Sequence, residues 1–312
     1  MKEEVLQFGK RSSMVGILNS PEGFPNLELP AVLFLNAGLI HHIGPNRIYV
    51  KMARQFAQMG FFVLRFDSSG IGDSAVRQDN LPYEKSIVDD VQQAMNHLSQ
   101  VVGVKTFVLM GHCSGSLSSF RVAVEDQRVI GAVLMNPEGG NPEWVDYDRK
   151  RKQAHYYQNY YGRKVLFSRD RWVKFLSGQA SYRNVFRNLF RDVLWYKIST
   201  KFFQYKNRST VKNAASEVDP AVQQYIALFH SVVERKTDLL LIYPQDSTGL
   251  VLTRTMLAND IDKLKATGKF NLVVLPECDH LYTLKVMQER LFKVIEDWMN
   301  AITELTPESG VL

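Results

Sequence analysis

The stretch Phe107-Val108-Leu109-Met110-Gly111-His112-Cys113-Ser114-Gly115 decides the fold of this chain. Its first four residues are apolar and predict a buried strand, and residues 116–125 have the spacing of a helix. The five residues that begin with Gly111 therefore turn a strand directly into a helix. A strand followed at once by a helix is the unit from which a sheet flanked by helices is built.

The spacing of the two glycines selects the residue at the apex of this turn. Side chains two positions before and after the apex would collide with neighbouring backbone, so both must be very small. Cys113 at the apex puts Gly111 and Gly115 at these positions, whereas Ser114 at the apex puts a histidine and a serine there. We therefore expect Cys113 at the apex, over the N-terminus of the next helix, where the partial positive charge favours a thiolate. A cysteine between glycines can equally be a small buried apolar residue.

The rest of the chain alternates short apolar runs with amphipathic stretches of helix length. This alternation is typical of an α/β protein with a mostly parallel sheet and helices on both faces. The predicted strands are residues 5–8, 14–18, 31–35, 61–66, 106–110, 129–135, 238–243 and 270–275. The predicted helices outside the interruption described next are residues 47–59, 83–100, 116–125 and 283–299.

The alternation stops near Asn136 and resumes at Asp238. We therefore predict a core of residues 1–136 and 237–312 with an inserted helical cap, residues 137–236. The cap is rich in aromatic residues, and its part from 146 to 212 holds 17 Lys or Arg against four acidic residues, a net charge of +13. Because the whole chain carries only +6, the remainder is acidic.

Bulk composition excludes several classes of protein. Two cysteines are too few for a disulfide scaffold and lack the paired spacing of a zinc site, and we expect no metal or cofactor. No apolar run approaches the ~18 residues of a membrane-spanning helix. The first ten residues are charged, unlike a secretory signal, so we expect a cytoplasmic protein.

Further motifs follow the strands in a recognisable order. Asp67-Ser68-Ser69-Gly70-Ile71-Gly72-Asp73-Ser74 follows the fourth predicted strand, and with residues 111–115 it resembles the α/β-hydrolase superfamily over most of the chain outside the cap. With Asn36-Ala37-Gly38 and Ile43-Gly44-Pro45-Asn46-Arg47, the sequence is similar to bacterial hydrolases with a cysteine at this turn, which are associated with exosortase and exopolysaccharide loci, and to thioesterase-like proteins of polyketide pathways. The resemblance implies the α/β-hydrolase fold and an ester or thioester substrate.

In that superfamily the nucleophile is followed along the chain by an acid and then by a histidine. The resemblance implies Asp246 as the acid that orients the base and His280 as the base. Glu138, beyond the strand that ends at 135, is the alternative acid. We expect Asp279 to hydrogen-bond within its own loop, because adjacent residues rarely face each other across a site. His112 is expected to pack beside the turn.

The resemblance also implies an oxyanion hole made of two backbone N–H groups. One donor is expected from Ser114, and the other from Gly38 or Leu39 in the loop after the first buried strand. The superfamily has His-Gly at the start of that loop, whereas this chain has Asn-Ala, which leaves both donors open. His41 and His42 of the same loop are candidates for substrate contact, together with Glu138 and His112.

A cysteine nucleophile changes the expected chemistry. It forms a thioester acyl-enzyme, so transfer of the acyl group to an alcohol or an amine becomes as credible as hydrolysis. We favour a thioesterase-like hydrolase or acyltransferase. The alternatives are a small ester or lactone hydrolase resembling dienelactone hydrolase, and a binding module that has lost the chemistry.

The basic cap suggests an acidic partner. We expect an acyl carrier protein, with a phosphopantetheine or coenzyme A phosphate, or an anionic membrane surface as further candidates. No nucleic-acid recognition motif accompanies the charge, so nucleic acid is not expected. The oligomeric state stays open.

Overall fold

A computed structural model describes residues 1–23, 25–137 and 220–304 of the chain. The strands are β1 (Lys2–Phe8), β2 (Met14–Ser20), β3 (Ala31–Leu35), β4 (Val63–Phe66), β5 (Phe107–His112), β6 (Val129–Met135), β7 (Asp238–Pro244) and β8 (Phe270–Leu275). The helices are α1 (Ile48–Gln58), α2 (Tyr83–Val101), α3 (Ser114–Glu125), α4 (Pro220–Glu234), α5 (Thr248–Met256), α6 (Ile261–Ala266) and α7 (Lys285–Glu304). The predicted basic segment, 146–212, lies outside the described residues.

The eight strands form one sheet in the order β1-β2-β4-β3-β5-β6-β7-β8. The first two strands pair antiparallel with each other, and β2 also pairs antiparallel with β4. All other neighbours are parallel, as the alternation of apolar runs and helices predicts. The mostly parallel sheet expected from the sequence is therefore confirmed.

Each parallel strand buries both of its faces. In β3, Leu33 and Leu35 point into one apolar layer and Val32 and Phe34 into the other. The first layer is completed by α2, α3 and α4, and the second by α1 and α7. Helices on both faces explain why these strands are continuous apolar runs instead of alternating with polar residues.

Helix α4 contributes to this core although its sequence lies within the predicted cap. Phe229 is 2% exposed and stacks on Phe120 of α3, with ring centroids 4.3 Å apart. It also meets the edge of the Phe270 ring. The described residues up to 137 and from Tyr225 onward belong to one compact unit, so the core resumes earlier than residue 237.

The parallel strands present their carboxyl ends at one edge of the sheet, where ligands of open α/β sheets bind. The loops after β3, β5, β6, β7 and β8 carry the candidate residues of the site. Helices α5 and α6 between β7 and β8 were not predicted from the sequence. In the part of the chain that the structure describes, no helix is long and apolar enough to span a membrane.

Candidate active site

The turn between β5 and α3 has Cys113 at its apex. Cys113 has φ 56° and ψ −118°, a conformation that costs energy in any residue with a side chain. A Cβ on Gly115 would lie 2.5 Å from the carbonyl oxygen of Asn36, and one on Gly111 would overlap the backbone of Gly115. Both positions therefore require glycine. The half-buried Cys113 immediately precedes the first residue of α3.

The loop after β3 approaches this turn through Gly38. The Gly38 N–H donates to Ser114 Oγ at 2.8 Å, and Gly38 has φ 60°, which suits glycine. Ala37 and Ile40 close a tight turn around it, because the Ile40 N–H donates to the Ala37 carbonyl. Of the two alternatives for the second oxyanion donor, Gly38 is the one whose N–H contacts a residue of the turn. Leu39 is 90% exposed.

Asp67, which follows β4, holds that loop in place. Its buried carboxylate accepts hydrogen bonds from Asn36 Nδ2 at 2.9 Å, from the His42 N–H at 2.7 Å, from His42 Nδ1 at 2.9 Å and from the Asp73 N–H at 3.2 Å. Burial acts to raise the pKa of Asp67, but the hydrogen bonds from His42, Asn36 and Asp73 outweigh it and the pKa lies below its ordinary value.

His42, Asp67 and Asp73 also bring potential metal-ligand atoms within 4.8 Å of one another. Each oxygen of Asp67 already accepts two hydrogen bonds, which is the full capacity of a carboxylate. These residues therefore form a hydrogen-bonded clamp, in which Asp67 fixes the loop after β3. The Asp67 oxygens have no lone pair left to bind a metal ion. His42 is occupied in that clamp, while His41 is exposed and packs edge-on against the His42 ring.

The loop after β8 carries His280 and docks on the Cys113 turn. His112 Nε2 donates to the His280 carbonyl oxygen at 2.6 Å, and the two rings lie 4.7 Å apart. Burial, reinforced by the nearby His280, lowers the pKa of His112 to about 4, so this ring is neutral at pH 7. Asp279 accepts hydrogen bonds from two backbone N–H groups of its own loop, as expected. His112 thus joins the turn to the predicted base.

The imidazole of His280 is contacted by a residue that the sequence analysis did not select. The side-chain amide of Asn136, which directly follows β6, hydrogen-bonds His280 Nδ1. Ser247 Oγ donates to Asn136 Oδ1 at 2.5 Å. Asn136 is 2% exposed and has φ 48°. The signal in the sequence is its position at the carboxyl end of a buried parallel strand, but the superfamily resemblance implies an acidic residue as the partner of the base.

The acid that the resemblance implies is Asp246, which follows β7. Asp246 is exposed in the turn after β7, and the described residues show no hydrogen bond between it and His280. The next residue, Ser247, reaches the site through Asn136 instead. Asp246 as the partner of His280 is therefore not supported by a contact. Glu138, the alternative acid, lies outside the described residues.

Comparisons with known proteins agree with the fold. Residues 28–169 match the model of the Hydrolase_4 family, described as serine aminopeptidase S33, whereas the apex of the turn in this chain is Cys113. Esterase EstD of Thermotoga maritima is 25% identical over 142 residues, which are 44% of this chain and 34% of that protein. The match thus spans about a third of the length of this curated relative.

Solved structures resemble the chain over nearly its whole length. An esterase of Pyrococcus furiosus has a TM-score of 0.56 at 13% identity, covering 96% of this chain and 90% of that one. A proline iminopeptidase of Mycobacterium smegmatis has a TM-score of 0.55 at 13% identity, covering 96% and 98%. Est1E of Butyrivibrio proteoclasticus has a TM-score of 0.53 at 11% identity, covering 95% and 98%. The protein has the α/β-hydrolase fold.

Proposed function

We propose that the protein is a hydrolase of ester or thioester bonds that forms an acyl-enzyme on Cys113, with His280 as the base. The observation that carries the proposal is the strained conformation of Cys113, which two obligatory glycines maintain beside the loop of His280. Backbone strain of this kind is retained where function requires it. The esterases among the relatives support hydrolysis as the reaction class.

In this mechanism His280 takes the thiol proton of Cys113, and the sulfur attacks the carbonyl carbon of the substrate. The N–H groups of Ser114 and Gly38 stabilise the oxyanion that forms. The Gly38 N–H donates to Ser114 Oγ in the structure, so the substrate oxygen would compete for that donor. The carbonyl re-forms, the bond to the leaving group breaks, and His280 gives the leaving alcohol or thiol its proton.

The second half of the reaction releases the acyl group. His280 removes a proton from water, which attacks the thioester carbon of the acyl-enzyme, and the carbon–sulfur bond breaks to give a carboxylic acid and the Cys113 thiol. An alcohol or amine in place of water would make the enzyme an acyltransferase by the same steps. This cysteine-based chemistry accords with the resemblance to exosortase-associated hydrolases and polyketide thioesterase-like proteins.

An acidic acyl carrier protein is the partner we propose for the donor. The support is the +13 charge of residues 146–212, which would attract an acidic surface. Hydrolysis of small free esters is the second candidate function, since the named relatives include esterases. The ratio of rates on a carrier-bound thioester and on a free ester of the same acyl group separates the two functions.

Intact-mass measurement with acyl thioester and nitrophenyl ester probes tests the nucleophile. We expect an acyl adduct that disappears in Cys113→Ala and persists in Ser114→Ala. Cys278→Ala is the matched control, because it removes the other cysteine of the chain and should leave the adduct intact. An adduct or full turnover retained in Cys113→Ala would contradict the proposal.

A further inference from the structure

We propose that Asn136 is the residue that orients the imidazole of His280, so that an uncharged amide stands in the position where triads of this fold have a carboxylate. The role of His280 as a base rests on the proposed function, but the contact between the two side chains does not. Asn136 acts through His280 and is a positioning residue.

The backbone and side chain of Asn136 are held rigidly. Its N–H donates to the carbonyl of Ile242 in the neighbouring strand at 2.7 Å, and its side chain is 2% exposed. Its φ of 48° is left-handed, a region that asparagine tolerates better than most residues. A Cβ on Gly249 in α5 would overlap the carbonyl oxygen of Pro137. Close packing of α5 therefore fixes the backbone just after Asn136.

Ser247 hydrogen-bonds this amide instead of capping its own helix. It occupies the N-cap position of α5, where a serine hydroxyl ordinarily accepts a hydrogen bond from a helix N–H. Here the hydroxyl makes no capping hydrogen bond and donates to Asn136 Oδ1. Because a hydroxyl can both donate and accept, Ser247 also suits the amide rotated by 180°.

That second orientation is the one a base requires. With Asn136 Oδ1 facing His280, the Nδ1–H donates to it, Nδ2 donates to Ser247 Oγ, and Nε2 keeps the lone pair that accepts the thiol proton. In the opposite orientation Nδ2 donates to Nδ1, and Nε2 carries the proton. The Asn136–Ser247 pair can thus bond either tautomer of His280 without leaving a polar atom unpaired.

A cysteine nucleophile explains why an amide is sufficient. An ordinary thiol has a pKa near 8.5, about two pH units above that of an imidazolium, whereas an alcohol is far less acidic. A serine therefore needs a carboxylate to stabilise the imidazolium, while a cysteine needs orientation above all. Cys-His-Asn sets occur on an unrelated protease fold. Cys113 and Asn136 are thus chemically matched.

Titration of His280 by ¹⁵N–¹H imidazole spectra tests the contact without any substrate, with His280 assigned from its loss in His280→Gln. Asn136→Asp introduces a carboxylate at Nδ1, which favours the imidazolium, so we expect the midpoint to rise by about one pH unit. Asn300→Asp adds the same charge at an exposed position of α7 and should leave the midpoint in place. An unchanged midpoint in Asn136→Asp would overturn the proposal.

Kinetics on the ester and thioester probes test the consequence. Asn136→Gly removes the amide while tolerating the left-handed backbone, and we expect kcat to fall about 10- to 100-fold with KM nearly unchanged. Asn136→Asp should retain most of kcat and shift the acidic limb of its pH profile upward, because His280 must be deprotonated to act as the base. A larger loss in Asp246→Asn than in Asn136→Gly would overturn the assignment. If Cys113→Ala stays active, the function proposed above is wrong. The His280 titration then still tests the contact between Asn136 and His280.

Discussion

The ends of two adjacent strands, β5 and β6, both place a non-glycine residue in a left-handed conformation, but they stabilise it differently. Cys113 has φ 56° and Asn136 has φ 48°. At Cys113 the conformation is imposed by backbone packing, since Gly111 and Gly115 admit no side chain. At Asn136 it is stabilised by hydrogen bonds to residues 111 and 144 positions away along the chain. Close packing of backbone on backbone maintains the conformation at Cys113, and side-chain hydrogen bonds maintain it at Asn136.

The largest effect is expected at the Cys113 turn. Gly115→Ala should lower the free energy of unfolding by about 3 kcal/mol, because the new Cβ would lie 2.5 Å from the immobile carbonyl of Asn36. Urea denaturation measures the loss. Gly268→Ala is the control: no atom lies within 4 Å of its added Cβ, so only about 1 kcal/mol of backbone strain is expected, from its φ of 71°. Equal losses in the two variants would show that close packing does not maintain the turn.

His112 joins the Cys113 turn to the loop of His280, and its burial predicts acid sensitivity. Its pKa is about 4 in the folded protein and about 6.5 in the unfolded chain, so the unfolded state binds more protons between these values. Stability contributed by the neutral ring is therefore fully present above about pH 6.5 and falls as the pH drops towards 4, by up to about 3 kcal/mol.

The measurement is unfolding by urea at a series of pH values. The wild-type protein should lose more stability between pH 7 and pH 4.5 than His112→Gln, which cannot take up the proton. His97→Gln is the control, since His97 is less buried and stacks on Phe8 away from the site. A parallel decline in the wild type and His112→Gln would refute the linkage.

A double-mutant cycle tests whether the nucleophile and the residue that orients the base are chemically matched. Cys113→Ser should reduce kcat/KM severely, because an alcohol paired with an amide-oriented histidine is poorly activated. Adding Asn136→Asp to Cys113→Ser should recover about tenfold, since the carboxylate stabilises the imidazolium. In the cysteine background the same Asn136→Asp change should gain nothing. Additive effects of the two substitutions would show that Cys113 and Asn136 act independently and would contradict the match.

Ser247 should give the smallest effect. Ser247→Ala removes one hydrogen bond to Asn136, so we expect kcat to fall a few-fold and the free energy of unfolding by about 1 kcal/mol. The stability of α5 should be nearly unaffected, because Ser247 makes no capping hydrogen bond. Ser231→Ala, which removes a hydroxyl bonded to a backbone carbonyl in α4, controls for the loss of one hydrogen bond. A kcat equal to that of the wild type would show that Ser247 does not help Asn136 to orient His280.

Much of the architecture could be predicted because its determinants are local. Apolar runs predicted all eight strands with shifts of a few residues at their ends, and the glycine spacing predicted the Cys113 turn. The short helices α5 and α6 were missed because each is stabilised mainly by packing on the sheet instead of by its own periodicity. Helix α4, whose sequence falls within the predicted cap of residues 137–236, packs through Phe229 on the core.

The candidate site was predictable only in part. The order of motifs along the chain indicated the loops of Gly38 and His280, and the structure connects both to the Cys113 turn. The partner of His280 could not be derived that way. Asp246 and Asn136 both follow parallel strands at the same edge of the sheet, and the choice between them depends on side-chain directions that no local pattern records.

The sequence by itself determined the sheet, the strand-to-helix turn and the residue at its apex, because the glycine spacing marks the two positions, Gly111 and Gly115, where a side chain would overlap backbone. The tertiary structure alone decided which side chain meets His280 Nδ1. That contact requires β6, the turn after β7 and the loop after β8 to come together, and the hydroxyl of Ser247 then favours the amide of Asn136 over the exposed carboxylate of Asp246. A contact between residues 144 positions apart is specified only once the strands between them have paired.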